Sequence, residues 1–245
     1  MDLIFIHGAA DSGAVWGRQL EHFGKRRRLF AVDLPGHGDR LGEAAFERVE
    51  ESAREVCRLT QTHGLERPVL VGHSMGGAIA LTIALAEPGL PQALVLVGSG
   101  ARLRIPPVLI EDARRRAEVA PSARAAARMI LLDDVLSRHA PAEARAWLRD
   151  HFGRSTGQAA YADFVATNAF DVMGRLEGVC APTLVIGGED DRWTPPKFQG
   201  YFAEHIPGAR LVMLPHCGHY PFVEAAEAFN GELERFLADL EGGPQ

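Results

Sequence analysis

Six short runs of apolar residues constrain this chain more than any other feature: Leu3–Ile6, Leu29–Val32, Val69–Val71, Ala93–Val97, Thr183–Ile186 and Arg210–Leu214. Each is nearly continuous in apolar character and is bounded by Gly, Pro or Asp. A strand with one wet face alternates apolar and polar residues. A strand without alternation is covered on both faces, as in a parallel sheet held between helices. The intervening segments carry helical spacing. Val49, Ala53, Val56 and Thr60 share one face, and Phe229, Leu233, Phe236, Leu237 and Leu240 form a stripe in a C-terminal helix expected to stop before Gly242-Gly243-Pro244. Six strands with helical crossovers predict an α/β fold, a doubly wound sheet.

One interval breaks the rhythm. From Ala101 to about Leu176 no run reads as a strand, and Pro106-Pro107, Pro121 and Pro141 divide an Ala- and Arg-rich sequence into helical pieces. The expected organisation is a core of residues 1–100 and 177–245 with a helical cap, residues 101–176, inserted in it. A separate C-terminal domain beginning near Ala101 fits less well, because two more parallel-sheet strands follow the interval.

Several function classes are excluded early. No basic run is interleaved with aromatics, so nucleic-acid binding has no support, and a net charge of −6 argues for solubility more than for a partner. The longest nearly charge-free stretch, around Leu70 to Leu85, contains Gly72, Gly76 and Gly77 and reads as strand, turn and buried helix, not as a membrane span. The apolar run at Met1–Ile6 has no basic region before it and stops at His7-Gly8, so it reads as a strand and not a signal peptide; the cytoplasm is the expected location. Cys57, Cys180 and Cys217 are odd in number, far apart and without metal-ligand spacing, and are read as reduced thiols.

The segment Val69-Leu70-Val71 leads into Gly72-His73-Ser74-Met75-Gly76-Gly77 and then Ala78-Ile79-Ala80-Leu81. This places a G-x-S-x-G pattern between a strand and a helix, the context in which the pattern has chemical meaning. A serine hydroxyl presented at the end of a sheet needs a tight, strained turn, and glycines must flank it where side chains would collide with backbone. The following helix points its positive end at a site where negative charge develops in acyl transfer.

With this elbow the chain resembles the α/β-hydrolase family. The resemblance also rests on His7-Gly8 after the first strand, Asp33-Leu34-Pro35-Gly36-His37-Gly38 after the second, Gly188-Glu189-Asp190-Asp191 and Gly218-His219, all in family order and spacing. It implies a Ser-His-Asp triad with Ser74 as nucleophile. Three acids compete after the fifth strand, Glu189, Asp190 and Asp191; the family's Gly-x-x-Asp turn with proline four residues on selects Asp191, with Asp190 as runner-up. Two histidines follow the last strand, and Gly218-His219 before an aromatic residue and Pro221 selects His219 over His216. Cys217, two residues before His219, is a weaker nucleophile candidate that nothing pairs with as a base. Two main-chain N–H groups would hold the oxyanion: that of Met75, the residue after the nucleophile, and by resemblance that of Ala9. Pocket walls are expected from Ala10, Trp193 and Tyr220 with the cap, while Trp16 is expected to pack the first helix.

These residues imply hydrolysis of carboxylic esters through an acyl-enzyme, with no metal or organic cofactor. Same-fold alternatives are carbon–carbon bond hydrolases, lactonases, perhydrolases and hydroxynitrile lyases; a non-catalytic ligand receptor is a further alternative. The expected partner is a small-molecule ester. Eleven arginines between Arg102 and Arg154, against seven acids, also admit a positive lid for an acyl-carrier-linked substrate, as in the pimeloyl-carrier methyl esterases that the chain broadly resembles. Only Met1 and Asp2 precede the first strand, leaving no room for the β-hairpin with which many relatives begin. The expectation is therefore a six-stranded, all-parallel sheet in the order 2-1-3-4-5-6, in a monomer or a homodimer.

Overall fold

All six apolar runs are strands: β1 (Leu3–Ile6), β2 (Leu29–Val32), β3 (Val69–His73), β4 (Ala93–Val97), β5 (Thr183–Gly188) and β6 (Arg210–Leu214). A computed structural model describes residues 1–119 and 132–243. Pro121, Arg124 and Arg128 of the interval between β4 and β5, and Pro244 at the C-terminus, lie outside the described residues. Every pairing is parallel, and the strands lie side by side as β2-β1-β3-β4-β5-β6, the expected order. β1, β3, β4 and β5 are buried at every residue, whereas the edge strands β2 and β6 are half-open.

The continuous apolar runs follow from two separate cores, one on each face. Leu3, Phe5, Val69, Val71, Val95, Val97, Leu184 and Ile186 pack with Trp16, Phe222, Phe229 and Leu233. Their alternates Ile4, Ile6, Leu70, Leu94, Leu96 and Val185 pack with Val49, Val56, Ile79, Leu81 and Phe202. Successive side chains on a strand point to opposite faces, so a polar residue in either register would strand a polar group in one core. Helices α1 (Gly17–Phe23) and α10 (Ala226–Gly242) cover the first face; α2 (Val49–Thr62), α3 (Met75–Ala86) and α8 (Pro196–His205) cover the second. Val49, Ala53, Val56 and Thr60 are the buried stripe of α2, as their spacing predicts. The C-terminal helix runs one residue further than expected, through Gly242, and ends where Gly243 takes a φ of +70°.

Between β4 and β5 lie α4 (Pro107–Val119), α5 (Leu132–Val135), α6 (Ala142–His151) and α7 (Gly157–Ala169). Prolines set two of the starts, Pro107 within the first turn of α4 and Pro141 as the residue capping α6. Thr156 caps α7 by accepting the Ala159 N–H at 3.0 Å. α7 buries Ala160, Phe164 and Ala166, so it is a core helix of the molecule and not a surface flap. Among the described residues of this interval the only β-type pairings are isolated bridges, Arg102 with Asp171 and Ser155 with His37.

All the strands being parallel, their carboxyl ends share one rim, where clefts of such sheets bind ligands. The loops that follow β1, β3, β5 and β6 carry the residues singled out above. At the β3–α3 turn, a Cβ on Gly72 would lie 2.2 Å from the Gly76 carbonyl oxygen and 2.6 Å from the Gly77 nitrogen. Backbone cannot yield there. Gly72→Ala is expected to lower stability by about 3 kcal/mol or to prevent folding, whereas Gly174→Ala, with nothing within 4 Å of its Cβ, should stay within about 0.5 kcal/mol. Urea unfolding midpoints of the two variants check this.

Candidate active site

Ser74 sits between β3 and α3 with φ +51° and ψ −114°. A left-handed φ in a residue with a Cβ costs on the order of 1–3 kcal/mol and persists only where surroundings enforce it. Here they do. The Ser74 N–H donates to the Val97 carbonyl at 2.9 Å, and its carbonyl accepts from Ser99 Oγ at 2.8 Å. On the other side a Cβ at Gly76 would stand 2.2 Å from the Ile6 carbonyl, so only glycine lets α3 start this close to β1. The Ser74 Cβ in turn lies 3.2 Å from the ideal Cβ position of Gly8, which brings the loop after β1 against the serine. His73 is buried beneath: its Nε2–H donates to the His219 carbonyl at 2.8 Å, and its ring centroid lies 4.7 Å from that of His219. Burial, with His219 alongside, holds its pKa well below the ordinary histidine value.

Asp191 is the acid that meets the imidazole. Its Oδ2 accepts from His219 Nδ1 at 2.8 Å and from Thr194 Oγ1 at 2.7 Å, while Oδ1 accepts the N–H groups of Trp193 and Thr194 at 2.8 and 2.9 Å. Burial pushes this carboxyl upward, but the adjacent His219 and the Thr194 hydrogen bonds outweigh it and hold the pKa below the usual aspartate value. A neutral imidazole that donates from Nδ1 keeps its lone pair on Nε2. Asp190 instead accepts from Ser137 Oγ at 2.5 Å, and His216 is exposed; neither joins the pair. Cys217 is buried and its thiol is pushed up to about 12, first by burial and then by Glu224 and its acidic neighbours, so it stays protonated. The Trp193 ring, half-buried, stacks 6.1 Å from the His219 ring. Among the described residues no hydrogen bond yet joins the Ser74 hydroxyl to His219. Such bonds are commonly long before substrate arrives.

The His219 loop is shaped by a residue that no motif in the sequence marks. Glu224, buried in the short helix α9 (Pro221–Glu224), accepts the N–H groups of Gly218 (3.0 Å), Tyr220 (3.1 Å) and Ser137 (2.8 Å). Its pKa is raised by burial, against the pull of those bonds.

The loop after β1 is clamped from α7 and the turn before it. Ala10 has φ +60°; its N–H donates to Asp163 Oδ2 at 2.7 Å and its carbonyl accepts from Ser155 Oγ at 3.1 Å. The same Asp163 oxygen accepts from His37 Nε2 at 2.9 Å, while His37 Nδ1 donates to the Pro35 carbonyl at 3.0 Å. Both partners offer acceptor oxygens, which favours the imidazolium form of His37. Burial lowers its pKa, yet the Asp163 charge and hydrogen bonds prevail and raise it. His7, 4.8 Å away ring to ring, is neutral: it accepts the Leu34 N–H and donates to Gly8, and burial with His37 lowers its pKa to about 4. Neither Ala9 nor Met75 uses its N–H within the protein among the described residues. Ala10 and Tyr220 are buried packing residues, the Tyr220 hydroxyl donating to Asp11 at 3.2 Å. Trp16 stacks on Phe222 at 4.0 Å, as packing of the first helix requires.

Residues 3–232 match the alpha/beta hydrolase family. A pimeloyl-[acyl-carrier protein] methyl ester esterase of Nitrosomonas europaea is 32% identical over 237 residues, covering 93% of this chain and 92% of that protein. A 2-hydroxy-6-oxo-6-phenylhexa-2,4-dienoate hydrolase of Burkholderia cepacia is 28% identical, covering 97% of this chain and 87% of that protein. A thermophilic esterase from Thermogutta terrifontis has the same fold, with a TM-score of 0.85 at 24% identity, covering 98% of this chain and 90% of that one.

One buried group near the rim makes stability depend on pH. Asp11 has its carboxyl raised to about 7 from 3.8, chiefly by burial, against hydrogen bonds from Ser12 and Tyr220. A folded pKa above the unfolded one means stability that is full below about pH 4 and is lost as pH rises through about 7. Asp11→Asn removes that loss. The variant should match the parent near pH 4 and exceed it by a few kcal/mol at pH 8, given about 1.4 kcal/mol per pKa unit. Unfolding curves that run parallel for the two proteins from pH 4 to 8 would refute this.

Proposed function

The chain belongs to the alpha/beta hydrolase family, and on that premise we propose that it is a serine hydrolase cleaving carboxylic esters through an acyl-enzyme intermediate. The observation that carries this reading is the buried Asp191–His219 pair, hydrogen-bonded at 2.8 Å on the rim where the strained Ser74 follows β3. Asp191 fixes the imidazole with its proton on Nδ1, so Nε2 is the base that takes the Ser74 proton. The freed oxygen attacks the ester carbonyl. Charge on the carbonyl oxygen is then met by the N–H groups of Met75 and Ala9 and by the positive end of α3. His219 next protonates the departing alcohol and activates a water that releases the acid.

In this reading residues 101–176 act as a helical cap over a core of residues 1–100 and 177–245, and the clamp on Ala10 by Asp163 and Ser155 is how that cap holds the neighbouring Ala9 N–H in place. Trp193 borders the acyl pocket and the buried Ala10 and Tyr220 back its wall; the Trp193 and Tyr220 rings lie 6.1 and 5.7 Å from the imidazole. The inferred substrate is a small-molecule ester. The cap arginines favour this over a carrier protein, because most of those described are paired with acids: Arg114 with Glu111 and Glu118, Arg115 with Glu111, Arg116 with Asp112, Arg145 with Asp133, and Arg102 and Arg104 with the single carboxylate of Asp171. A carrier-linked methyl ester, suggested by the name of the Nitrosomonas relative, is the finer alternative.

Hydrolysis of p-nitrophenyl butyrate tests the reaction. Ser74→Ala is expected to abolish it, and Asp191→Asn to lower kcat by about 10⁴-fold with the fold intact; Asp190→Asn should remain within a few-fold. Undiminished turnover in the Ser74 variant would end the proposal. For the carrier alternative, Arg149→Glu should leave the rate on a carrier-linked ester unchanged; a fall confined to that substrate would reverse the choice.

A further inference from the structure

The acid turn and the base loop each present a second, unused side chain on the outer side of the rim. Asp190 adjoins Asp191, and His216 lies three residues before His219. A third residue, His139 between α5 and α6, meets them there. One possible ligand atom from each of the three lies within 4.8 Å of the others, and the two imidazole rings are 5.0 Å apart. We propose that His139, Asp190 and His216 form a binding site for a divalent transition-metal ion of the zinc type, separate from the ester chemistry.

The donor set selects the class of ion. Two imidazoles with one carboxylate suit zinc, nickel or copper, whereas magnesium and calcium need oxygen ligands. With bonds of about 2.0–2.1 Å, tetrahedral ligands stand roughly 3.3 Å apart. The ligand atoms therefore have up to about an ångström and a half to close, and all three side chains are exposed. Water would complete the coordination.

The backbone under the ligands is already cross-tied. The Asp190 N–H donates to the Cys217 carbonyl at 2.8 Å, the His219 N–H to the Val135 carbonyl at 2.7 Å, and the Ser137 N–H to Glu224. These bonds tie the loop that carries His216 to the Asp190 turn and to the segment that carries His139 before any ion arrives. A ligating carboxylate is usually oriented by a further hydrogen bond. Here Ser137 Oγ supplies it to Asp190 Oδ2 and also accepts the His139 N–H at 3.0 Å. His216 holds φ +59° on an exposed loop, a left-handed conformation that is uncommon outside glycine. One contact competes: Arg138 Nε donates to His139 Nε2 at 3.0 Å. It is exposed on both sides and easily exchanged. An ion at this point would brace the interval between β4 and β5 to the acid turn and the base loop.

Zinc chloride titrated calorimetrically into the full, untagged, metal-free protein tests the site. One ion per chain is expected, with affinity falling at least tenfold in His139→Ala and in His216→Ala, and with a rise in Tm on zinc that magnesium does not produce and that either substitution removes. Both histidines are exposed, so the metal-free variants should unfold at the parental Tm. X-ray absorption of the zinc-loaded parent, which needs no variant, should show two imidazoles and no sulfur. Absence of binding at 100 μM zinc, binding undiminished by both substitutions, or sulfur ligation from the exposed Cys180 would each overturn the proposal.

Discussion

The structure turns on a place where no side chain fits. At the junction of β3 and α3, the backbone at Gly72 meets that of Gly76 and Gly77, and Gly76 meets the carbonyl of Ile6, closer than any Cβ allows. Three main-chain segments thus touch directly. That contact starts α3 against the sheet with almost no connecting loop and forces Ser74 into a conformation it would not choose. The hydrogen bonds to Val97 and from Ser99 hold the strain in place. Because β1, β3 and β4 are buried on both faces, the turn cannot relax without opening a core.

Around that turn, carboxylates organise the rim loops. Asp33 accepts the N–H groups of Gly13 and Asp39, Asp163 that of Ala10, Asp191 those of Trp193 and Thr194, and Glu224 those of Gly218, Tyr220 and Ser137. Most of these carboxylates are buried, where an unpaired charge costs several kcal/mol, so each is stable only while its donors stay in place. The device fixes loops with main-chain specificity. It also couples the interval between β4 and β5 to the rim: Asp163 from α7 and Ser155 hold the loop after β1, and Ser137 is tied to the loop after β6.

Much of this was legible in the residues. The elbow at Ser74 announces itself by glycine spacing, because close backbone approach leaves a local signature, whereas the turn at Asp191 and the loop at His219 were marked by family resemblance. Choosing Asp191 over Asp190 and His219 over His216 drew on family resemblance, since adjacent residues of one type look alike in sequence; the structure separates them by burial. Glu224, Asp163 and Ser155 were not legible. Asp163 reaches Ala10 across 153 positions, and an aspartate within a helix carries no mark of a distant partner. Nor did the arginines between Arg102 and Arg154 show which acids would pair with them. The cluster of His139, Asp190 and His216 has no metal-ligand spacing along the chain and exists only in space.

By itself the sequence determined the strands, their parallel arrangement and the strained serine, because hydrophobic continuity and glycine placement act over a few residues and admit one local answer. Only the tertiary structure decided which acid meets the imidazole, which carboxylates hold the loops, and which charges cancel. Those outcomes depend on distances between segments far apart in the chain, and hydrogen bonds and ion pairs fall off too steeply with distance for residue order to specify them.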